Sequence, residues 1–198
     1  MDFRILGPLE ATDDTGPVKL TGGKQQALLA LLLLNADRVV SMDRLVDDLW
    51  GEDVPETAQK MVQILVSQLR KQLPGGLLRT SAPGYLVDLD GHSLDLRRFD
   101  ELVEEGRETL GQGQAETASV HFQNALALWR GPALQEFQEP FALLESSRLE
   151  EQRLACLEER IDADLALARH AELVGELDAL VRRHPRRERL RGQLMLSL

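Results

Sequence analysis

The chain holds one cysteine, Cys156, in 198 residues. That excludes an internal disulfide framework and fits a reducing cytoplasm; the thiol is expected as a small packed residue on a helix. Long apolar runs are missing too. The longest, Ala27 to Leu34, is eight residues, well short of the roughly 20 a membrane-spanning helix needs. The N-terminal MDFRILGP has no basic segment leading into an apolar core, so no secretory signal is expected. Chemistry-bearing clusters are also lacking. His92, His121, His170 and His184 are scattered without metal-ligand spacing, and there is no phosphate loop, dinucleotide glycine pattern or nucleophile motif. A non-enzyme with no cofactor, no metal and no membrane partner is expected.

What remains is a chain with 43% hydrophobic and 28% charged residues, enough for one large domain or two small ones and too apolar for general disorder. The net charge is -10, which argues weakly against a nucleic-acid partner. Its distribution argues the other way. From Thr57 to Val87 the sequence carries Lys60, Arg70, Lys71 and Arg79 and no Asp or Glu. Screening makes near charges matter most, so a local acid-free strip can still meet an anion. Acidic flanks would keep non-specific DNA affinity low.

Along the chain, FRILGPLEA and PVKL read as strands around the turn signal DDTG. GGKQQALLALLLL then reads as a buried helix ending near Asn35. In SMDRLVDDLWG, Ser41 is the expected N-cap, Gly51 the stop, and Leu45, Val46, Leu49 and Trp50 the inward stripe. The third helix, TAQKMVQILVSQLRKQL over 57–73, is expected to open near Asp53, Pro55 and Glu56. LLRTSAPGYLVDL reads as a hairpin turning at Pro83-Gly84. Strands, three helices and a hairpin give the plan of a winged helix-turn-helix over residues 1–92.

From residue 93 the pattern is almost wholly helical. Two helices flank GQGQ, a long helix runs from about Phe141 to Arg169, and another pair breaks at Pro185. Ala118, Phe122, Ala125, Leu126 and Trp129 recur at helical spacing, as in tetratricopeptide-like helix pairs. The fold class expected is mainly α with small β elements, a winged helix-turn-helix followed by a tetratricopeptide-like all-α domain over 93–198. The last helix lacks a cap or partner, so that domain is expected to be truncated at its C-terminus. Glu150-Glu151 and Glu158-Glu159 are expected on solvated helix faces, and His121 packed or partly exposed.

The third helix carries the functional expectation. With Val62 at zero and about 100° per residue, Leu65, Val66, Leu69 and Leu73 fall within about 60° of it. Lys60, Ser67 and Lys71 lie opposite, flanked by Gln63 and Arg70, with Ile64 also outward. Lys and Arg reach phosphates, Gln and Arg can bond base edges, and Ile can pack on a thymine methyl. Arg79 and Thr80 sit on the hairpin, where a wing would touch the adjacent backbone. Lys24 opens the first helix, where charge and free amides could grip a phosphate. A second use of Arg70, as an intramolecular ion pair, stays open. So does a second reading of the chain as a helical-repeat adaptor using its winged helix for protein contacts.

FRILGPLE, GGKQQALLALLLL, LVDDLWGEDVPETA, VSQLRKQL and APGYLVDL resemble the OmpR-type winged helix of the Streptomyces antibiotic regulatory protein family. LDLRRFDELVEEG and HFQNALALWRGPAL resemble the bacterial transcriptional activation domain that follows it there. The resemblance implies a cytoplasmic, nucleoid-associated activator of secondary-metabolite genes. It would bind direct repeats in double-stranded promoter DNA as side-by-side protomers and act through RNA polymerase holoenzyme. Two departures stand out. Gln26 replaces the family's usual Arg after the first-helix Gln, and Gln68 and Lys71 replace the outer cations of its SRLRR element. Both suggest a weaker grip on the DNA backbone or a changed operator.

Overall fold

A computed structural model describes all 198 residues, Met1–Leu198. The chain forms two compact units, Met1–Arg97 with Trp129–Glu150, and Arg98–Leu128 with Glu151–Leu198. The expected fold class holds, mainly helical with two small sheets.

In the first unit, β1 (Asp2–Arg4), β2 (Glu10–Asp13), β3 (Gly16–Pro17) and β7 (Ser93–Leu94) form a sheet in the order β3-β2-β1-β7. All its pairs are antiparallel except β1 with β7. Helix α1 (Gly23–Leu34) is buried from Ala27 through Leu33, as its unbroken Leu/Ala run requires. Helix α2 (Met42–Trp50) begins where the Ser41 hydroxyl accepts from the Arg44 amide at 3.3 Å and stops at Gly51, whose φ of 59° suits glycine. The helices that pack on α1, α2 and α3 (Ala58–Gln72), are both amphipathic. The third helix starts at N-cap Thr57, after the Asp53–Glu56 stretch expected to open it.

A second sheet, β4-β6-β5, joins β4 (Val40–Ser41) to the hairpin of β5 (Leu78–Ser81) and β6 (Gly84–Val87). Gly84 lets the backbones meet. A Cβ there would lie 1.9 Å from the Val40 carbonyl oxygen, so no other residue fits this pairing.

Residues 129–150 complete the first unit. The Arg130 amide donates to the Leu6 carbonyl at 2.8 Å, and its guanidinium donates to the Pro8 carbonyl and pairs with Glu10. Asp95, at the head of α4 (Asp95–Gly111), accepts from the Ile5 and Leu6 amides.

The second unit is all helix: the rest of α4, α5 (Ala115–Ala127), the later part of α6 (Pro140–Ala166), α7 (His170–Arg183) and α8 (Glu188–Ser197). Gly113, at φ 76°, turns α4 into α5. Gly106 sits so close to Phe122 that a Cβ would meet its ring at 2.6 Å. Ile161, Leu173, Leu177 and Leu190 form the buried centre where α6, α7 and α8 meet. Cys156 is packed, with burial pushing its thiol up to about 12, so it is inert as a nucleophile at neutral pH. His121 is partly exposed, Nδ1 3.1 Å from Glu105.

Of the acid pairs expected on solvated faces, Glu151 is exposed, whereas Glu158-Glu159 differs from that expectation. Glu158 is 3% exposed and is held by both nitrogens of one edge of Arg187, at 2.9 and 3.1 Å. Glu159 takes the Arg107 guanidinium at 3.0 Å. The acids of α6 thus tie α8 and α4 to it. No helix is long and apolar enough to cross a membrane.

Candidate nucleic-acid interface

Helix α3 is anchored from below by Val62, Val66 and Leu69, all at most 2% exposed, with Leu73 buried just past its end. Each of these positions follows the 3.6-residue period that the sequence displays. The opposite face is open: Lys60, Gln63, Ile64, Ser67 and Lys71 are exposed. Ile64 keeps 48% of its surface, and Met61, one turn before it, keeps 36%. None of the four polar members enters a hydrogen bond or ion pair within the chain. The first turn of α3 carries no acid, the nearest being Glu56 just before the N-cap.

Arg70 lies at the edge of this face and is already engaged. Its Nε donates to the Leu78 carbonyl at 3.0 Å and its Nη2 to the Thr80 hydroxyl at 2.7 Å. The alternative use of Arg70 is therefore the observed one, with hairpin oxygens in place of a carboxylate. Thr80 remains exposed on β5 while accepting that bond. Arg79, on the opposite side of β5, pairs with Asp88 at 2.6 Å. The Arg79 hydrogen bond is the main cause holding the Asp88 carboxyl below its ordinary value, with the Asp90 amide adding to it. The pair cancels much of Arg79's charge at the rim of the acid-free strip.

Lys24 is also engaged within the chain. Its ammonium donates to the Leu49 carbonyl at 2.7 Å and to Glu139 at 3.2 Å, and lies 5.4 Å from the centre of the Trp50 ring. A lysine with those partners fastens the start of α1 to the end of α2 and to residue 139, with its side chain 36% exposed. The partners sit 25 and 115 residues away, and nothing near Lys24 in the sequence announces them. Gln26, the family departure, spends its amide on the Leu20 carbonyl at 3.0 Å.

A helix seated on an apolar stripe, a β-hairpin beside it and an acid-free outward face define a winged helix-turn-helix protein. The comparisons with known proteins agree. Residues 16–86 match the family model described as "Transcriptional regulatory protein, C terminal", and residues 94–198 match "Bacterial transcriptional activator domain". Regulatory protein DnrI of Streptomyces peucetius is 38% identical over all of this chain and 77% of its own length. Regulatory protein AfsR of Streptomyces coelicolor is 42% identical over 99% of this chain, which spans only 20% of that longer protein. A solved structure of Mycobacterium tuberculosis EmbR, in complex with a low-affinity phosphopeptide, superposes with a TM-score of 0.92 at 35% identity. It covers 99% of this chain and 54% of its own. The chain belongs to the Streptomyces antibiotic regulatory protein family of transcriptional regulators, whose members are not enzymes.

Proposed function

We propose that this regulator activates transcription by seating α3 in the major groove of promoter DNA. The observation that carries the reading is the outward face of α3: Lys60, Gln63, Ile64, Ser67 and Lys71 exposed together, without an acid, on a helix fixed by its buried stripe. Lys60 and Lys71 would hold phosphates, Gln63 and Ser67 would bond base edges, and Ile64 would pack on a thymine methyl. Arg79 and Thr80 would bring the hairpin to the flanking backbone. We also propose, on the strength of family membership alone, side-by-side protomers on direct repeats, contact with RNA polymerase holoenzyme and control of secondary-metabolite genes. The functional division we propose runs in chain order, DNA reading in 1–92 and activation in 93–198, even though residues 129–150 fold with the first part.

Selection of bound duplexes from random sequence tests the whole reading, and repeat spacing in the selected pool would report how protomers are arranged. No enrichment by the folded chain would favour the adaptor reading. Lys71→Ala should weaken binding to every duplex alike and flatten the dependence of log affinity on log salt by roughly one unit. An unchanged slope removes Lys71 from the phosphate contacts. Substituting Gln63 or Ile64 should change which sequences are preferred, costing about 1–3 kcal/mol at the base each one reads. Equal loss on all sites would mean that neither reads sequence.

A further inference from the structure

The third helix and the wing are joined through one side chain. Nε and Nη2 lie on the same edge of the Arg70 guanidinium, and that edge spans two positions of β5, the Leu78 carbonyl and the Thr80 hydroxyl. The guanidinium carbon lies 5.9 Å from the ring centre of Tyr85, the cross-strand partner of Thr80 on β6. One residue of α3 thus holds the backbone of one wing strand, a side chain on it, and an aromatic ring on the next. Lys71, the neighbouring cation, holds nothing within the chain.

We infer that Arg70 is a positioning residue that fixes the wing to the recognition helix, so that both present their contacts to one duplex as a pre-set pair. This rests on the DNA-binding reading above. The two adjacent cations divide the work: Lys71 meets the phosphate, and Arg70 sets the distance from helix to wing. A wing already held in place loses no ordering entropy when DNA arrives. Lysine cannot substitute, because a compact ammonium lacks the planar edge that reaches two acceptors at once.

The test uses the full chain with Arg70→Met, which keeps the apolar stem, Arg70→Lys, which keeps the charge, and Lys71→Ala. Circular dichroism confirms that each is folded. Hydrogen exchange of the free proteins comes first. Both Arg70 variants should speed exchange across 78–87 about tenfold while α1 stays protected. Affinity for a duplex selected by the wild-type chain is then measured across a salt series. Both Arg70 variants should bind about tenfold more weakly with the salt slope unchanged, and Arg70→Lys should rescue nothing. Lys71→Ala should show the opposite signature, a flatter slope with normal wing exchange. The proposal is overturned by wing exchange that stays at the wild-type rate. It is equally overturned by a slope lowered by about one in Arg70→Met and restored in Arg70→Lys, the behaviour of a phosphate contact. If the wild-type chain selects no duplex, the DNA-binding reading fails, and the exchange arm still decides whether Arg70 holds the wing.

Discussion

Asp95→Ala should destabilise the folded chain by about 3–5 kcal/mol, as two buried amides lose their acceptor. The carboxylate takes the Ile5 amide at 2.8 and 3.0 Å and the Leu6 amide at 3.0 Å, and both residues are fully buried. β1 ends at Arg4, so no strand partner is available to those two donors. Alanine would remove the acceptor that those two amides have in the folded chain. Arg130 lies 3.8 Å from the same carboxylate but keeps Glu10 at 2.7 Å, so the loss is of hydrogen bonds more than of a stranded cation. Asp95→Asn, which retains one acceptor oxygen, should fall between the two. Urea unfolding gives the energies, and a melting-temperature drop of about 10 °C should accompany the alanine variant. A loss under about 1 kcal/mol would mean that something else satisfies the Ile5 and Leu6 amides.

The same residue sets a sign for pH. Burial pushes the Asp95 carboxyl above its ordinary 3.8, with the Ile5 and Leu6 amides and the Arg130 charge opposing the rise. A folded state that holds its proton more tightly than the unfolded chain loses stability as pH rises from the unfolded value through the folded one. The stability gap between wild type and the non-titrating Asp95→Asn should therefore shrink across that window as pH increases. A gap that widens would show that the amide bonds outweigh burial.

What could be read from sequence, and what could not, divides by the distance over which the signal acts. The outward face of α3 was legible because Val62, Val66 and Leu69 repeat within one helix, and burial of one stripe dictates exposure of the other. Ser41 and Gly51 marked α2 because capping is decided within a turn. β4 and β7 are two residues each, too short to show a period, and exist only because Gly84 and Phe3 lie alongside them. Arg70 stayed open between a DNA contact and an internal partner because its acceptors belong to a hairpin that folds back from eight and ten residues on. Lys24 and Asp95 depend on partners between 25 and 115 residues away, and charge at a helix start looks the same whether it meets solvent, a phosphate or a buried amide.

Glu158 is the sharpest case, and it carries the second large effect. Arg187→Met should cost the helical unit about 3–5 kcal/mol, because it strands an acid that is almost wholly buried. In the folded chain Arg187 caps Glu158 along one edge and also reaches Glu151, while Arg189 stands 3.9 Å off. Beside this cluster Gln193 donates to the Glu158 carbonyl at 2.8 Å and to Asp162 at 2.6 Å, so the acid lies at the seam where α8 meets α6. With the guanidinium gone, Arg189 is too distant to neutralise the carboxylate fully. The apolar centre formed by Ile161, Leu173, Leu177 and Leu190 would then have to hold α8 alone. The double variant Glu158→Leu with Arg187→Met separates the cost of an orphaned charge from the worth of the pair. It should recover at least half of the single variant's loss, since an apolar pair of similar volume removes the stranded charge. Urea unfolding and hydrogen exchange of residues 188–197 read both effects. A double variant as unstable as Arg187→Met would mean that the ion pair itself, and not relief of burial, keeps α8 on α6.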